Sequence, residues 1–77
     1  MNNVCSVICD EVIINTLSYP NELHLSKSKY RVDVDPANNS VIIRDFLGGW
    51  IYCYRHNDII KLKMHEIRVI DQKEGDL

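Results

Sequence analysis

Cysteine and histidine are the residue types in this chain that most often bind zinc or serve as nucleophile and base. Cys5 and Cys9 are four residues apart, and Cys53 precedes His56 by three, so the ligand types of a zinc site are present. The spacing argues against such a site, because residues four apart on a strand stand roughly 13 Å apart. For Cys53 and His56, the sequence nominates neither an orienting third group nor an oxyanion hole. We therefore predict no catalytic residue, no bound metal and no cofactor, and we expect a protein that is not an enzyme.

Two further motifs carry weak chemical signals. Asp33 and Asp35 point to the same side of a predicted strand, a weak metal signal that occurs at many strand ends. The pair Gly48 and Gly49 suits a hairpin turn but is too short to hold a phosphate. Neither motif changes the prediction of a non-enzymatic protein.

Charge is distributed unevenly along the chain. The sequence has 9 basic and 11 acidic residues, for a net charge of −2, which argues against a generic DNA-binding protein. Residues 27–63 nevertheless hold seven basic residues against four aspartates, whereas the segments on either side are acidic. This basic middle is the candidate surface for an anionic partner.

The elements that must position these charges are predicted to be strands. Valine and isoleucine together number 17, while alanine occurs once, and branching at Cβ favours a pleated surface over a helix. We predict a mainly β fold, a small antiparallel barrel of SH3-like or Sm-like architecture with five or six short strands. The alternative is an α+β fold, an open antiparallel sheet with one helix formed by the N-terminal run or by residues 58–70.

Alternation and turn residues locate the strands. The segment 4–17 is either two short strands around Asp10 and Glu11 or one bent strand. A bend is predicted at residues 65–66. The remaining strands are predicted at residues 22–35, 41–47, 50–55, 60–64 and 67–70. We assign residues 1–71 to one compact β domain and residues 72–77 to a polar tail.

The lengths of the turns decide which side chains share a face. A two-residue turn at Gly48 and Gly49 places Arg44 opposite Cys53 and Ile42 opposite Arg55. An even-length loop at 36–39 places Arg31 opposite Arg44. The predicted core face then contains Tyr30, Val32, Val34, Val41, Ile43, Leu47, Trp50, Tyr52, Tyr54, Ile60, Leu62 and Met64. Asp45 is the misfit on this face and needs a polar partner or an edge position.

The opposite face collects most of the basic residues, with Ile51 and Cys53 among them and only Asp33 in opposition. Like charges opposite one another destabilise a sheet by up to ~1 kcal/mol per pair, so the arrangement suggests a binding function. An alternative is that Lys and Arg only solubilise an exposed face. The predicted binding residues are Lys29, Arg31, Arg44, Phe46, Arg55, Lys61 and Lys63.

This face predicts a small binding protein that contacts nucleic acid, or another polyanion, with Phe46 available for stacking. The alternative function is a protein–protein effector that docks on a larger host machine and inhibits it, as phage-borne inhibitors of host defence do. A homodimer through the N-terminal strand or through a patch formed by Phe46 and Ile51 is a third interpretation.

The sequence also bears on where the protein works. No N-terminal segment has the order of a signal peptide, and no apolar run approaches the ~20 residues that span a bilayer. We therefore expect a cytoplasmic protein with reduced cysteines and no membrane partner.

Overall fold

The computed structural model describes residues 4–19 and 21–70, which form strands and two short 3-10 turns. The strands are β1 (Cys5–Thr16), β2 (Leu23–Leu25), β3 (Tyr30–Asp35), β4 (Ser40–Asp45), β5 (Ile51–Tyr54) and β6 (Ile59–Ile70), and the 3-10 turns are η1 (Pro36–Asn38) and η2 (His56–Asp58). The described residues contain no α-helix, and hence no helix that could cross a membrane. The mainly β prediction is confirmed, and the alternative with a helix is wrong. The predicted tail, residues 72–77, lies outside the described residues.

Strand β1 lies at the centre of one antiparallel sheet. One of its edges pairs with β3 along its first half and with β2 along its second half, while its other edge pairs with β6. Strands β4 and β5 continue the sheet beyond β3. Because both edges of β1 are occupied, the N-terminal strand is not the exposed edge that one version of the predicted homodimer requires.

The sheet curls into a half-barrel. Strands β5 and β6 lie at opposite edges of the sheet, yet only residues 55–58 join them, so the sheet has to curl to bring these edges near each other. The turn η2 is held against the end of β1, where the Leu17 N–H donates to the Asp58 carbonyl at 2.8 Å and the Ser18 hydroxyl donates to the Asp58 carboxylate at 2.8 Å. The predicted small barrel of five or six strands is thus a six-stranded half-barrel, with the core on its inner face.

The core consists of side chains that alternation places on the inner face. The buried residues are Val7, Cys9, Val12, Ile14, Tyr30, Val32, Val41 and Ile43, and Leu23, Leu25, Val34, Tyr52, Tyr54, Ile59, Leu62 and Met64 pack against them partly buried. Burying one such aliphatic side chain completely stabilises the fold by roughly 1.5–3 kcal/mol. The predicted core is confirmed except for Leu47, Trp50 and Ile60, which are 77%, 67% and 65% exposed.

A β-bulge moves Ile60 out of the core. Asn15 pairs with Lys61, whereas the next residue, Thr16, pairs with Ile59, so the pairing skips Ile60. One extra residue reverses the alternation of a strand. Ile59 therefore packs against the core in the place that regular alternation assigns to Ile60.

Two further bulges bend the long strands β1 and β6. Asp10 is the extra residue on β1, because Cys9 pairs with Glu66 and Glu11 pairs with His65. Residue 67 is the extra residue on β6. The interpretation of residues 4–17 as one bent strand is confirmed. The bend predicted at 65–66 is a single bulge at residue 67, near the Asp10 bulge of the paired strand, and β6 continues through it without a break.

The β4–β5 loop has four residues, 46–49, rather than two. The Asp45 N–H donates to the Trp50 carbonyl at 2.8 Å and closes the loop. The Asp45 carboxylate accepts hydrogen bonds from the Ser28 hydroxyl and from the N–H groups of Gly48 (2.8 Å) and Leu47 (3.0 Å). These hydrogen bonds lower the pKa of Asp45. The predicted misfit is therefore the residue that organises the wider turn.

The longer loop shifts the β4–β5 register by two residues from the predicted one. Arg44 pairs with Ile51 and Ile42 pairs with Cys53, whereas a two-residue turn places Cys53 and Arg55 at these positions. An even shift keeps every side chain on its predicted face. Leu47 then lies within the loop and Trp50 at its end opposite Asp45, and both side chains are exposed instead of buried in the core.

The β3–β4 hairpin follows its prediction. Its loop, 36–39, has the even length that pairs Arg31 with Arg44 and Val34 with Val41. The strand predicted at 22–35 is instead two strands, β2 and β3, which pair with the same edge of β1. The hairpin nevertheless brings the two arginines together as expected.

Candidate functional site

A row of arginines crosses the outer face of the sheet. The strand registers align, in order across the sheet, Ile51, Arg44, Arg31, Ile8 and Arg68. Neighbouring strands lie about 4.8 Å apart, so the three guanidinium groups share one strip of surface. We call Arg31, Arg44 and Arg68 the arginine row.

Asp33 holds two members of the row. Arg31 Nε donates to Asp33 Oδ1 at 3.1 Å, and Arg44 Nη1 donates to Asp33 Oδ2 at 2.6 Å. The Ser6 hydroxyl also donates to Oδ1. The Asp33 side chain is 14% exposed, against 37% for Arg31 and 44% for Arg44. The repulsion expected between the two arginines is therefore offset by this carboxylate, and each guanidinium keeps further N–H donors for a partner.

Arg68 is the member of the row that the sequence prediction missed. Regular alternation from Lys61 and Lys63 places residue 68 on the inner face. The bulge at Ile67 reverses the alternation, so Arg68 pairs with Ile8 on the outer face and is exposed. The sequence contains a signal for this reversal. Apolar side chains occur at even positions before residue 65, at Leu62 and Met64, and at odd positions after it, at Ile67 and Val69.

Four of the predicted cations lie outside the row, namely Lys29, Arg55, Lys61 and Lys63. Lys61 and Lys63 belong to the first half of β6, where Lys61 Nζ contacts the Glu22 carboxylate at 3.2 Å. Arg55 follows β5 and lines a polar cleft with Asp58. The structure therefore divides the predicted basic face into the arginine row and more distant cations.

The β4–β5 loop places one exposed aromatic residue, Phe46, beside the row, whereas Trp50 at the end of the loop follows the inner-face alternation of Tyr52. Phe46 lies two residues beyond Arg44, and its N–H donates to the Lys29 carbonyl at 2.9 Å. Phe46 is 55% exposed and Trp50 is 67% exposed. Two of the predicted site residues, Lys29 and Phe46, are thus brought together at this end of the row.

The part of the outer face formed by β1, β2 and β6 carries two histidine–carboxylate pairs. His24 Nε2 lies 2.6 Å from a Glu11 oxygen, and His65 Nδ1 lies 2.6 Å from an Asp10 oxygen. The hydrogen bond from His65 lowers the pKa of Asp10, and the same hydrogen bond raises the pKa of His65. Each pair sets a carboxylate beside an imidazole, so this region is less basic than the arginine row.

The three cysteines lie in different environments. Cys9 is buried in the core, where burial and the nearby charges of Glu66 and Asp10 raise its thiol pKa to about 11. Cys5 and Cys53 are exposed. Within residues 4–19 and 21–70, no three His, Cys, Asp or Glu side chains are grouped so that they could hold a metal ion.

The outer face therefore combines a cationic strip with the exposed aromatic side chain of Phe46 at one end. The chain is thus a small β domain with clustered cations on the outer face of its sheet. No protein-family model, curated protein or solved structure matches the chain. Its function is accordingly argued from the geometry of this face.

Proposed function

We propose that this protein binds single-stranded nucleic acid along the outer face of its sheet and performs no catalysis. The arginine row is the observation that carries the proposal, because arginines from three strands occupy aligned positions across the outer face. A phosphate backbone is an elongated polyanion that such a line contacts repeatedly. Phe46 lies where a base can stack, and stacking contributes ~1–3 kcal/mol per base.

The contacts of Asp33 support this proposal in a second way. Its carboxylate fixes Arg31 and Arg44 before any partner arrives, so less side-chain freedom is lost on binding. Three arginines and one aspartate leave this part of the surface with a charge of 3 − 1 = +2. The remaining N–H donors of the guanidiniums point to hydrogen bonding with phosphate oxygens.

Salt-dependent binding of a short fluorescent oligothymidylate tests the proposal. One variant replaces Arg31, Arg44 and Arg68 with Gln, which removes three charges but retains a hydrogen-bond donor at each position. We expect the log–log salt slope to flatten by roughly 2, at about 0.7 per lost phosphate contact on a single strand. A matched control replaces Arg55, Lys61 and Lys63 with Gln and changes the net charge equally, but we expect a smaller change in slope.

Two outcomes would contradict the proposal. Equal loss of affinity in both triple variants would mean that net charge, rather than the row, attracts the oligonucleotide. A parent protein without measurable affinity even at low salt would exclude this function altogether. Phe46→Ala provides a separate readout, since it should weaken binding by ~1–3 kcal/mol through lost stacking while the salt slope stays unchanged.

The second candidate function is a protein–protein effector, and the exposed loop favours it. Leu47 and Trp50 are 77% and 67% exposed, and tryptophan is a frequent anchor of protein interfaces. A host protein that this loop inhibits, as a phage-borne inhibitor does, should remain in a pull-down from host lysate after nuclease treatment. A partner held through nucleic acid should be lost by the same treatment.

Both candidate functions belong to the cytoplasm, where we place the protein as part of this proposal. Cys5 and Cys53 are exposed and free. Thiols of this kind persist in a reducing compartment. The location therefore fits the unpaired cysteines as well as the proposed partners.

A further inference from the structure

The free edge of β5 is the place where the sheet is open to another strand. Among the residues that the structure describes, β5 pairs with β4 alone. The hydrogen bonds Asp45 N–H to Trp50 C=O and His56 N–H to Asn39 C=O belong to the same antiparallel register as this ladder. In an antiparallel pair, alternate residues bond to the neighbouring strand. The even-numbered residues of β5 therefore bond to β4, and the backbone groups of residues 51 and 53 point away from the sheet.

This edge lacks the features that protect sheet edges from pairing. The sequence from residue 46 to residue 54 has no charged side chain, and β5 pairs with β4 without a bulge. Of the other edge strands among the described residues, β2 has only three residues, and β6 carries Lys61 and Lys63 and pairs irregularly with β1 at three points. Ile51 and Cys53 are both exposed on β5. The β5 edge is thus a template for a further strand, whereas β6 is protected.

We propose that two copies of this protein pair antiparallel through β5, with the two-fold axis at Tyr52. Ile51 of each copy then faces the partner's Cys53, so the outward backbone groups of both strands are hydrogen bonded. On the inner face, Tyr52 faces the partner's Tyr52, and Trp50 faces the partner's Tyr54. Every cross-strand pair is aromatic with aromatic or apolar with apolar, and no charge is placed in the interface.

A second copy is the occupant that this edge fits, because the edge is complementary to itself. An extended segment with charged side chains would place a charge against Ile51 or Tyr52. A two-fold axis at Cys53 also keeps the faces matched, but it places Ile51 opposite the partner's Arg55 and Trp50 opposite the partner's His56. The proposed dimer goes beyond nucleic-acid binding and does not depend on it.

Light scattering coupled to gel filtration, without nucleic acid and over a hundredfold range of concentration, tests the dimer. We expect a dimer that dissociates on dilution. Ile51→Glu should give a monomer, because it puts a carboxylate into the interface, while in the isolated chain this carboxylate lies opposite Arg44 and suits the fold. The matched control is Ile60→Glu on β6, since Ile60 is 65% exposed and Ile51 is 62% exposed, and this variant should remain dimeric.

Disulfide trapping tests the register. In a Cys5→Ser background, Ile51→Cys brings a thiol opposite the partner's Cys53, within the 4.4–6.8 Å between Cα atoms that a disulfide requires. Mild oxidation should then give a covalent dimer that disappears when Cys53→Ser is added. A covalent dimer formed through Cys53 without the substitution at residue 51 would overturn the register. A dimer that persists in Ile51→Glu, or a parent protein that is monomeric at every concentration, would overturn the proposal.

Discussion

Asp33 determines whether the facing arginines stabilise or destabilise the sheet. Arg31 and Arg44 are direct cross-strand neighbours, and two like charges in this position cost up to ~1 kcal/mol. Arg31 Nε donates to both oxygens of the Asp33 carboxylate, and Arg44 Nη1 donates to one of them. The two arginines therefore belong to the architecture of the sheet as well as to its proposed binding surface.

Asp33→Ala should destabilise the protein, because it leaves the two guanidiniums facing each other without a counter-ion. Hydrogen bonds to charged groups contribute ~1.5–3 kcal/mol, and we expect a loss of about 1–3 kcal/mol in the free energy of unfolding. Urea denaturation measures it. Glu22→Ala is the control, since it removes only the exposed ion pair with Lys61, which should contribute below ~1 kcal/mol. Equal losses in the two variants would contradict this role of Asp33.

The members of the arginine row differ in how far the sequence predicts them. The pairing of Arg31 with Arg44 depends only on an even loop length, which the turn residues between Asp35 and Ser40 allow but do not determine. The position of Arg68 depends on a bulge at Ile67, and bulges have no simple composition rule. The sequence therefore predicts two thirds of the row, together with the carboxylate that holds it.

Bulges let the two longest strands follow the curl of the sheet. Strands β1 and β6 each span 12 residues, and strands of this length have to twist and bend inside a half-barrel. The three extra residues, Asp10, Ile60 and Ile67, break the pairing at three points. Each bulge also reverses the alternation of core-facing and solvent-facing residues. In β6 the apolar residues therefore occupy even positions in one part of the strand and odd positions in another.

The bulge at Ile60 can be tested directly, because it places Ile59 rather than Ile60 against the core. Ile59→Ala should cost about 1–3 kcal/mol, because Ile59 packs partly buried against the core and complete burial makes such truncations cost ~2–5 kcal/mol. Ile60→Ala should change stability by no more than ~0.5 kcal/mol, since its side chain is exposed. Thermal and urea unfolding of both variants measure the difference. A larger loss of stability in Ile60→Ala than in Ile59→Ala would mean that there is no bulge at Ile60 and that β6 keeps the regular alternation expected from the sequence.

The β4–β5 loop illustrates a different limit of sequence prediction. The glycine pair is compatible with a two-residue turn, but the carboxylate of Asp45 accepts the N–H groups of Leu47 and Gly48 and favours a longer one. Gly48 has little room for a side chain, because an added Cβ would lie 2.6 Å from an Asp45 oxygen. The longer loop shifts the β4–β5 register by two residues, and an even shift leaves each side chain on the same face of the sheet. The sequence therefore predicts which residues lie on the basic face but not which residues pair across β4 and β5.

The order of the strands is the property of the whole fold that local patterns do not contain. The sequence indicates hairpins between neighbouring strands, and the β3–β4 and β4–β5 hairpins agree. The central place of β1 depends on its pairing with β6, far away in the chain. The anchoring of Asp58 at the end of β1 then fixes the curl, which leaves β5 as an open edge.

This architecture predicts a gradient of amide hydrogen exchange across the molecule. Amides in the centre of β1 should exchange only on global unfolding, because neighbouring strands cover both of its edges. Along β5, the amides of Tyr52 and Tyr54 should be protected by β4. The amides of Ile51 and Cys53 should exchange rapidly in dilute solution, since they point away from the sheet. Residue-resolved exchange followed by nuclear magnetic resonance measures this alternation.

The dependence of amide exchange on protein concentration then distinguishes a β5 edge that a second copy covers from one that the same chain covers. If two copies pair through β5, raising the protein concentration should slow exchange at Ile51 and Cys53, and Ile51→Glu should abolish the effect at Cys53. The amides of β1 should keep the same protection at every concentration, because their partners belong to the same chain. Slow exchange at Ile51 and Cys53 in a sample that light scattering shows to be monomeric would mean that a segment of the same chain occupies the edge. In that case the sheet is closed within one molecule, and the apolar loop next to β5 would have to serve a different partner.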